Sequence, residues 1–593
     1  MFVNGEAIIE WAFVLVSLFG YVRLLIHHCG VKPAFAPLTV MSLQTLAVYI
    51  AGLTGIPGAM KVTVCVLQAG GAAAFIGCLL ADRRRADALR NAALASFALL
   101  LVWIGYAIVG EKVRICDNFT HWIQIARVML ENGRFPIPSD RVITFTSYPP
   151  GSACFLYYIC ACLHYEEWYL IAAQAMLIAA CVITVAGVLP RNVLVYTAAM
   201  FVFSIACTVF SEQIYDLLVD GLLAALTCAG LFYVIHCLRA GEKPGFLCLG
   251  PILSVLVLTK NSGLFFAAFI VFFGIAAAKS GDGSRKRILL CALIPAALYA
   301  AWQLRVHLVF ADASSGKHAL SVQYYSMILK NKSPEDILIT LKVFAARTWR
   351  KHRIRIVLLT VLGIGITAWK KKIRLPRCIS SLPAAALVFY AVYLLGMVCV
   401  YIFSMRQREA VRLGGYFRYF KTMEIVIVGM GICYIANLSE WAAQRKARFR
   451  KLAPAIAALA MLAWLGCAVK DCESSFLLRR GIEPADPRTR MEFALSEYFA
   501  CGEERKTDIK TLLICHNDSE IDYYGDIARY LTKAERAPET VSPDREEIAA
   551  MAKQADAVLI LDRTEGTDAY LRSLGRDPDD CTFLCLLPKD GEG

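Results

Sequence analysis

A chain of 593 residues that is 58% hydrophobic and only 19% charged is too apolar for an ordinary soluble protein, since soluble domains are about half apolar and about a quarter charged. Its mean hydropathy of +0.55 points the same way. The net charge of +14 is scattered over short loops instead of forming one basic face, which excludes a nucleic-acid surface. Most of the 22 cysteines sit in apolar runs, where thiols behave as small hydrophobes, and no pair has zinc-site spacing.

Apolar runs of about twenty residues recur along the chain, each punctuated by charge. The run at 8–28 lacks a basic leader and a small-residue cleavage site, so it reads as a retained helix, not a signal peptide. Further runs lie near 38–53, 62–80, 92–109, 168–189, 193–210, 217–237 and 246–260. The series continues near 262–278, 288–304, 354–369, 382–404, 422–436 and 453–469. The fold class expected is an α-helical polytopic membrane protein of about fourteen transmembrane helices, with a small C-terminal α/β domain.

Basic clusters orient the spans. Arg83–Arg85, Arg239 with Lys243, Arg285–Arg287, Lys370–Lys372 and the stretch 445–451 should face the cytoplasm. Three polar segments, at about 111–167, 305–353 and 405–421, then fall outside, as does the tail. The domains expected are a membrane part, 1–470, and an extracytoplasmic soluble part, 471–593.

In the first loop, apolar residues recur at helical spacing from Phe119 to Leu130, predicting an amphipathic surface helix that Gly133, Pro136 and Pro138 end. Pro149-Pro150-Gly151 opens an apolar stretch, 152–164, too short to span, which reads as a re-entrant helix covered by protein. The second loop holds His307, Asp312, His318, Tyr324 and Tyr325, and ends in a further amphipathic helix near 334–350. The third loop sets Arg406, Arg408, Arg412 and Arg418 beside aromatic residues at the membrane boundary. Guanidinium groups there suit a phosphate, which they bind as a permanently charged fork.

Acidic residues complement them. Asp117 follows a helix end directly, and Glu212, Asp216 and Asp220 cluster at the outer end of the run from 217. An ionisable side chain at the bilayer is costly and so points to function. Lys260 stands at a break between two apolar runs, where it could meet an anionic head group. In the tail, apolar runs at 511–515, 557–562 and 582–588 alternate with helical patterns at 519–532 and 545–554, which predicts a small α/β fold with a parallel sheet. It carries no glycine-rich phosphate loop or nucleophile elbow.

The order of these features resembles the GT-C superfamily of membrane glycosyltransferases. Asp117-x-x-x-His121-Trp122 and Tyr148-Pro-Pro-Gly in the first loop, Asp220, Thr259-Lys260-x-x-Gly263 and Arg418-Tyr419 carry it. The layout is nearest the protein O-mannosyltransferase-like and lipid A aminoarabinose transferase-like branches, and bacterial surface-polysaccharide proteins. The resemblance covers roughly residues 92–421. It implies a GT-C-like arrangement, outer-face sugar transfer from a polyprenyl-phosphate carrier with inversion, and a bacterial plasma-membrane location. Asp117 would be the general base. His121, Trp122, Tyr148, Asp216, Asp220, Lys260, Arg406, Arg412, Arg418 and Tyr419 would bind substrate or carrier. The implied partners are the polyprenyl-phosphate-linked sugar, a glycan, lipid or protein acceptor, and membrane lipids. No cofactor is assigned. A divalent metal stays open, although Asn118 stands where many members have a second acid.

The chemistry fits these residue types. The phosphate leaving group keeps its charge as the glycosidic bond breaks, so cations such as Arg418 and Lys260 would stabilise it. The acceptor hydroxyl must lose a proton to a carboxylate. Plainer readings stand beside these: Asp117 as a helix cap, His121 and Trp122 as an interfacial anchor, Asp220 as a packing ion pair. Lys260 could snorkel, the arginines could contact lipid head groups, and His307 and His318 are better read as loop residues than as zinc ligands. The competing functions are a lipid-linked oligosaccharide polymerase or ligase and, with no internal repeat to support it, a transporter or flippase.

Overall fold

The structure is a computed structural model that describes residues 5–81, 91–140, 145–208, 213–240, 248–281, 283–310, 322–445, 449–469, 486–496, 509–519, 521, 523–578 and 583–585. Contacts divide the chain into two compact units. The first comprises Met1–Lys112, Ile125–Pro138 and Thr144–Arg479; the second comprises Val113–Gln124, Ser139–Ile143 and Arg480–Gly593.

The first unit is helical. Its helices are α1 (Gly5–Cys29), α2 (Ala36–Leu53), α3 (Ala59–Ala81), α4 (Ala92–Ile108), α5 (Ile123–Asn132, begun in the second unit), α6 (Gly151–Cys160), α7 (Glu167–Val182), α8 (Val193–Thr208) and α9 (Asp220–Ala240). There follow α10 (Leu249–Thr259), α11 (Gly263–Ala277), α12 (Ser284–Val309), α13 (Val322–Lys330), α14 (Pro334–Arg350), α15 (His352–Lys370), α16 (Arg377–Ser380), α17 (Leu382–Cys399), α18 (Gln407–Arg412), α19 (Tyr416–Arg445) and α20 (Phe449–Val469).

Every apolar run expected to span falls on one of these helices. Among the described residues, eight helices are long and apolar enough to cross a bilayer, or nine if the bent pair α14–α15 is one span. About fourteen were expected; the shorter apolar helices α4, α8, α10 and α11 make up most of the difference. Helix α10, with 11 residues, rises only about 16 Å against a hydrocarbon core of about 30 Å.

Burial separates centre from periphery. Helix α9 buries 94% of its most apolar window and α3 only 17%. The outer helices display Leu80, Leu99, Val102 and Phe272 to their surroundings. Bare apolar surface on that scale belongs in hydrocarbon and not in water.

Two central helices run parallel. At one end the Thr422 hydroxyl donates to the Asp220 carbonyl at 3.3 Å. At the other, Arg239 of α9 donates to Asn437 of α19 at 3.0 Å, and both Arg239 and Asn437 donate to the Val188 carbonyl at 3.1 Å. The starts of α9 and α19 thus lie together, as do their ends, so the two helices run in the same direction. Helix α6 is buried at all ten positions, so it is covered by protein as its length requires. Its first residue, Gly151, lies against α10: a Cβ there would come within 2.6 Å of the Leu258 carbonyl oxygen.

In the second unit, four strands form one sheet in the order β2-β1-β3-β4, with β1 (Leu512–His516), β2 (Glu539–Val541), β3 (Ala557–Ile560) and β4 (Phe583–Cys585). β1 pairs in parallel with β2 and β3, but β3 pairs antiparallel with β4, which corrects the all-parallel expectation. β2 was not foreseen, since three residues between charges give no periodicity. The short helices α21 (Pro487–Ala494), α22 (Tyr524–Thr532), α23 (Arg545–Ala552) and α24 (Glu565–Ser573) complete it. Leu513, Cys515, Ile548, Val558, Tyr570 and Leu571 form its core. The expected C-terminal run therefore shares its unit with part of the first loop. Arg488 of α21 donates to the Val113 carbonyl at 2.7 Å and stacks its guanidinium on the rings of Phe119 and Tyr530. Cys515 is a buried free thiol, and Cys472, Cys501 and Cys581 lie outside the described residues.

Candidate functional site

The break between α10 and α11 creates the polar centre of the first unit. Lys260 is extended (φ −162°, ψ 152°) and ends α10, and the Gly263 amide returns to the Lys260 carbonyl at 2.7 Å. Gly263 is required there, because a Cβ would lie 2.1 Å from the Leu256 carbonyl oxygen. The turn swings the Lys260 side chain onto Asp220, the first residue of α9, with Nζ to Oδ1 at 3.0 Å. The Arg418 guanidinium stands 4.0 Å from Oδ2 of the same carboxylate. Lys260 also lies over the faces of Tyr419 and Tyr148, 5.3 and 5.9 Å from their centroids, an arrangement that favours a desolvated cation.

Supporting contacts fix each part. Gln174 of α7 donates to the Asp216 and Leu218 carbonyls at 3.1 and 2.9 Å, clamping the loop that delivers Asp220. Tyr148 stacks on Phe145 with centroids 5.1 Å apart, and Trp302 donates to the neighbouring Ser147 carbonyl at 3.1 Å. Asn261 accepts from Tyr299 at 3.0 Å. The Tyr393 hydroxyl donates to the Tyr419 carbonyl at 2.9 Å.

Tyr148, Asp220, Lys260, Asn261, Tyr393 and Tyr419 border a cavity of about 450 Å³. Tyr148, Asp220, Lys260, Asn261, Tyr419 and Thr422 give it a polar end, and Leu223, Phe265, Phe266, Met397, Val400 and Phe403 give it apolar walls. One wall ends in a π-helical turn, Val400–Ser404, a rare form frequent at functional sites. Lys332 donates to the Tyr401 and Ile402 carbonyls of that turn at 2.7 and 2.8 Å. Two cations against one carboxylate leave the polar end positive. The arrangement can hold an amphiphile with an anionic head, the head on Lys260 and Arg418 and the chain along the aromatic wall.

Of the sequence candidates, the structure brings Tyr148, Asp220, Lys260, Arg418 and Tyr419 together. Asp216 is buried but turned to its own loop, its Oδ1 accepting the Leu217 amide at 2.7 Å, and it does not line the cavity. Arg406, Arg408 and Arg412 are exposed and do not line it; Arg418 does not line it either, but it reaches the site through Asp220. The expected four-arginine cluster thus reduces to Arg418, because α18 and the left-handed Leu413 (φ 53°) separate the others from α19. Asp117, His121 and Trp122 belong to the second unit. There Asp117 is half-buried ahead of a π-helical turn, Asn118–Trp122, and the buried His121 and Trp122 rings meet edge to face at 4.7 Å. Among the described residues no three His, Cys, Asp or Glu side chains are grouped to hold a metal. Glu212, Asp312 and His318 lie outside the described residues.

Gln174, Asn261, Tyr393 and Thr422 were missed. A glutamine within the apolar run 168–189 was the one signal available, since a buried amide needs partners.

No family model matches the sequence, and no curated protein matches it. Among solved structures, the chain is similar to the crystal structure of ArnT from Cupriavidus metallidurans bound to undecaprenyl phosphate. The identity is 12% and the TM-score 0.43, over 81% of this chain and 94% of that one.

Proposed function

We propose that this chain is an integral membrane glycosyltransferase that moves a sugar from a polyprenyl-phosphate carrier to an acceptor on the outer face of the bacterial plasma membrane. The observation that supports it most is the cavity itself, where Lys260 and Asp220 meet at the end of an aromatic, apolar trough, with Arg418 4.0 Å from the same carboxylate. A carrier phosphate would replace part of the Asp220 contact at Lys260 and Arg418, while the prenyl chain lies along Phe265, Phe266 and Val400.

The electrostatics favour the transition state. As the bond from the anomeric carbon to the phosphate oxygen breaks, negative charge builds on that oxygen, and cations already held in a low-dielectric site stabilise it without reorganising. One acceptor oxygen attacks as the phosphate leaves, so a single displacement inverts the anomeric carbon and needs one base. Asp117 is the base that the order of motifs supplies.

Purified protein in detergent should bind a polyprenyl phosphate, and Lys260→Met should abolish that binding. Equal binding by the wild type and the variant would overturn the carrier assignment. For sidedness, a cysteine placed at the exposed Ser139 in a cysteine-free background should react with impermeant reagents added outside cells. Exclusive labelling from the cytoplasm would overturn the orientation.

A further inference from the structure

A second polar recess lies in the first unit, where α8 begins, α19 ends and α20 begins. It has a volume of about 620 Å³, and its charged lining is Arg191, Arg445 and Arg450 against Glu440 alone. Asn192 caps α8, its Oδ1 accepting the Val195 amide at 3.1 Å, so the positive end of that helix dipole adds to the arginines. Arg445 stacks on Trp441 at 4.9 Å.

Two further observations set the chemistry of the ligand. Immediately beyond the basic residues the helices expose apolar side chains: Val193 and Leu194 on α8, Leu452 and Ile456 on α20, each at least half exposed. A ligand that satisfies the whole recess therefore carries an anion next to hydrocarbon. The second observation is depth. Arg418 and Arg445 lie on one continuous helix, α19, and are about 40 Å apart along it. A bilayer with its head groups is about 40–45 Å thick. When Arg418 is in one head-group layer, Arg445 is in the other.

We infer that this recess binds the phosphodiester head of an anionic phospholipid of the leaflet opposite the candidate active site, with its acyl chains along α8 and α20. The inference stands apart from the proposed transfer reaction, because none of its residues lines that cavity.

The test uses the full-length protein in neutral detergent, titrated with phosphatidylglycerol and, separately, phosphatidylcholine and inorganic phosphate, with bound lipid counted by native mass spectrometry. Phosphatidylglycerol should bind preferentially, and R191A/R445A/R450A should weaken it by about fivefold for each arginine removed. The corresponding three-lysine variant should retain most of the binding. Unchanged phosphatidylglycerol binding in the triple alanine variant would overturn the inference. Effective competition by inorganic phosphate would also overturn it, by showing a site for the free ion. If the triple alanine variant does not fold, R450E at the exposed rim replaces it, with at least tenfold weaker binding expected and wild-type binding counting against the proposal.

Discussion

Lys260 and Asp220 meet at 3.0 Å although one ends a helix and the other begins one, forty positions apart in sequence. Both are nearly buried, with side-chain exposures of 12% and 5%. A pair so placed costs much to desolvate, and removing one member strands the other. The pair is itself neutral, and Arg418 beside it leaves the polar end positive before an anionic ligand arrives.

The first prediction follows from that stranding. Asp220→Asn should leave two cations facing apolar walls and destabilise the protein by about 3 kcal/mol. Lys260→Met should cost less, because Arg418 stays within 4.0 Å of the carboxylate. The double variant should be more stable than the sum of the singles implies. Thermal unfolding in one detergent measures all three, and strict additivity would show that the contact carries no coupling.

Arginine substitutions should divide sharply. Arg418→Ala should weaken binding of a prenyl phosphate by roughly tenfold or more, the size of a lost charge-assisted contact. Arg406→Ala and Arg412→Ala should change it by less than about twofold, as exposed charges do. Equal losses at all three positions would restore the four-arginine cluster that the structure dissolves.

Asp117→Asn tests the acid on the other unit. The variant should insert and fold as the wild type does, and sugar transfer should fall by at least about 100-fold, the contribution of a general base. Full activity would leave Asp117 as a helix-start residue without a chemical role.

Two cysteines offer opposite reactivities. Burial first, then the nearby Glu547 carboxylate, push the Cys515 thiol up to about 12, so it stays protonated at neutral pH. Only the thiolate reacts with maleimide, and Cys515 should label only after denaturation. Cys399 is an exposed free thiol that lines the cavity. It should label in the native protein and be protected by a prenyl phosphate. Peptide mapping separates the sites, and unprotected Cys399 would argue against a lipid in that trough.

The apolar runs were legible in the sequence because each helix carries its own hydropathy, although α19 runs nine residues beyond the apolar run 422–436. Span number was less legible, because membrane crossing depends on length, and α10 shows how a break at Lys260 shortens an apolar stretch. The site was legible in part. Asp220, Lys260 and Arg418 announced themselves as charges at helix ends. Arg406 and Arg412 looked equivalent to Arg418 because sequence spacing does not reveal that Leu413 turns left-handed between them. Asn261 was silent, since a hydrogen bond to the distant Tyr299 hydroxyl leaves no local pattern. The antiparallel β4 was equally hidden, because three residues in a strand do not encode a direction.

The contact of Arg488 with Val113 has a consequence in time. The partners are 375 residues apart, so when a ribosome has made the segment around Phe119, the guanidinium that will cover that ring does not yet exist. At about 5–20 residues per second the wait is roughly 20–75 seconds. Throughout it, the helices of the first unit are being inserted while this one stretch stays unfinished. Its assembly closes last, and a chain that stops short of α21 would leave Phe119 without the guanidinium and the Tyr530 ring that cover it.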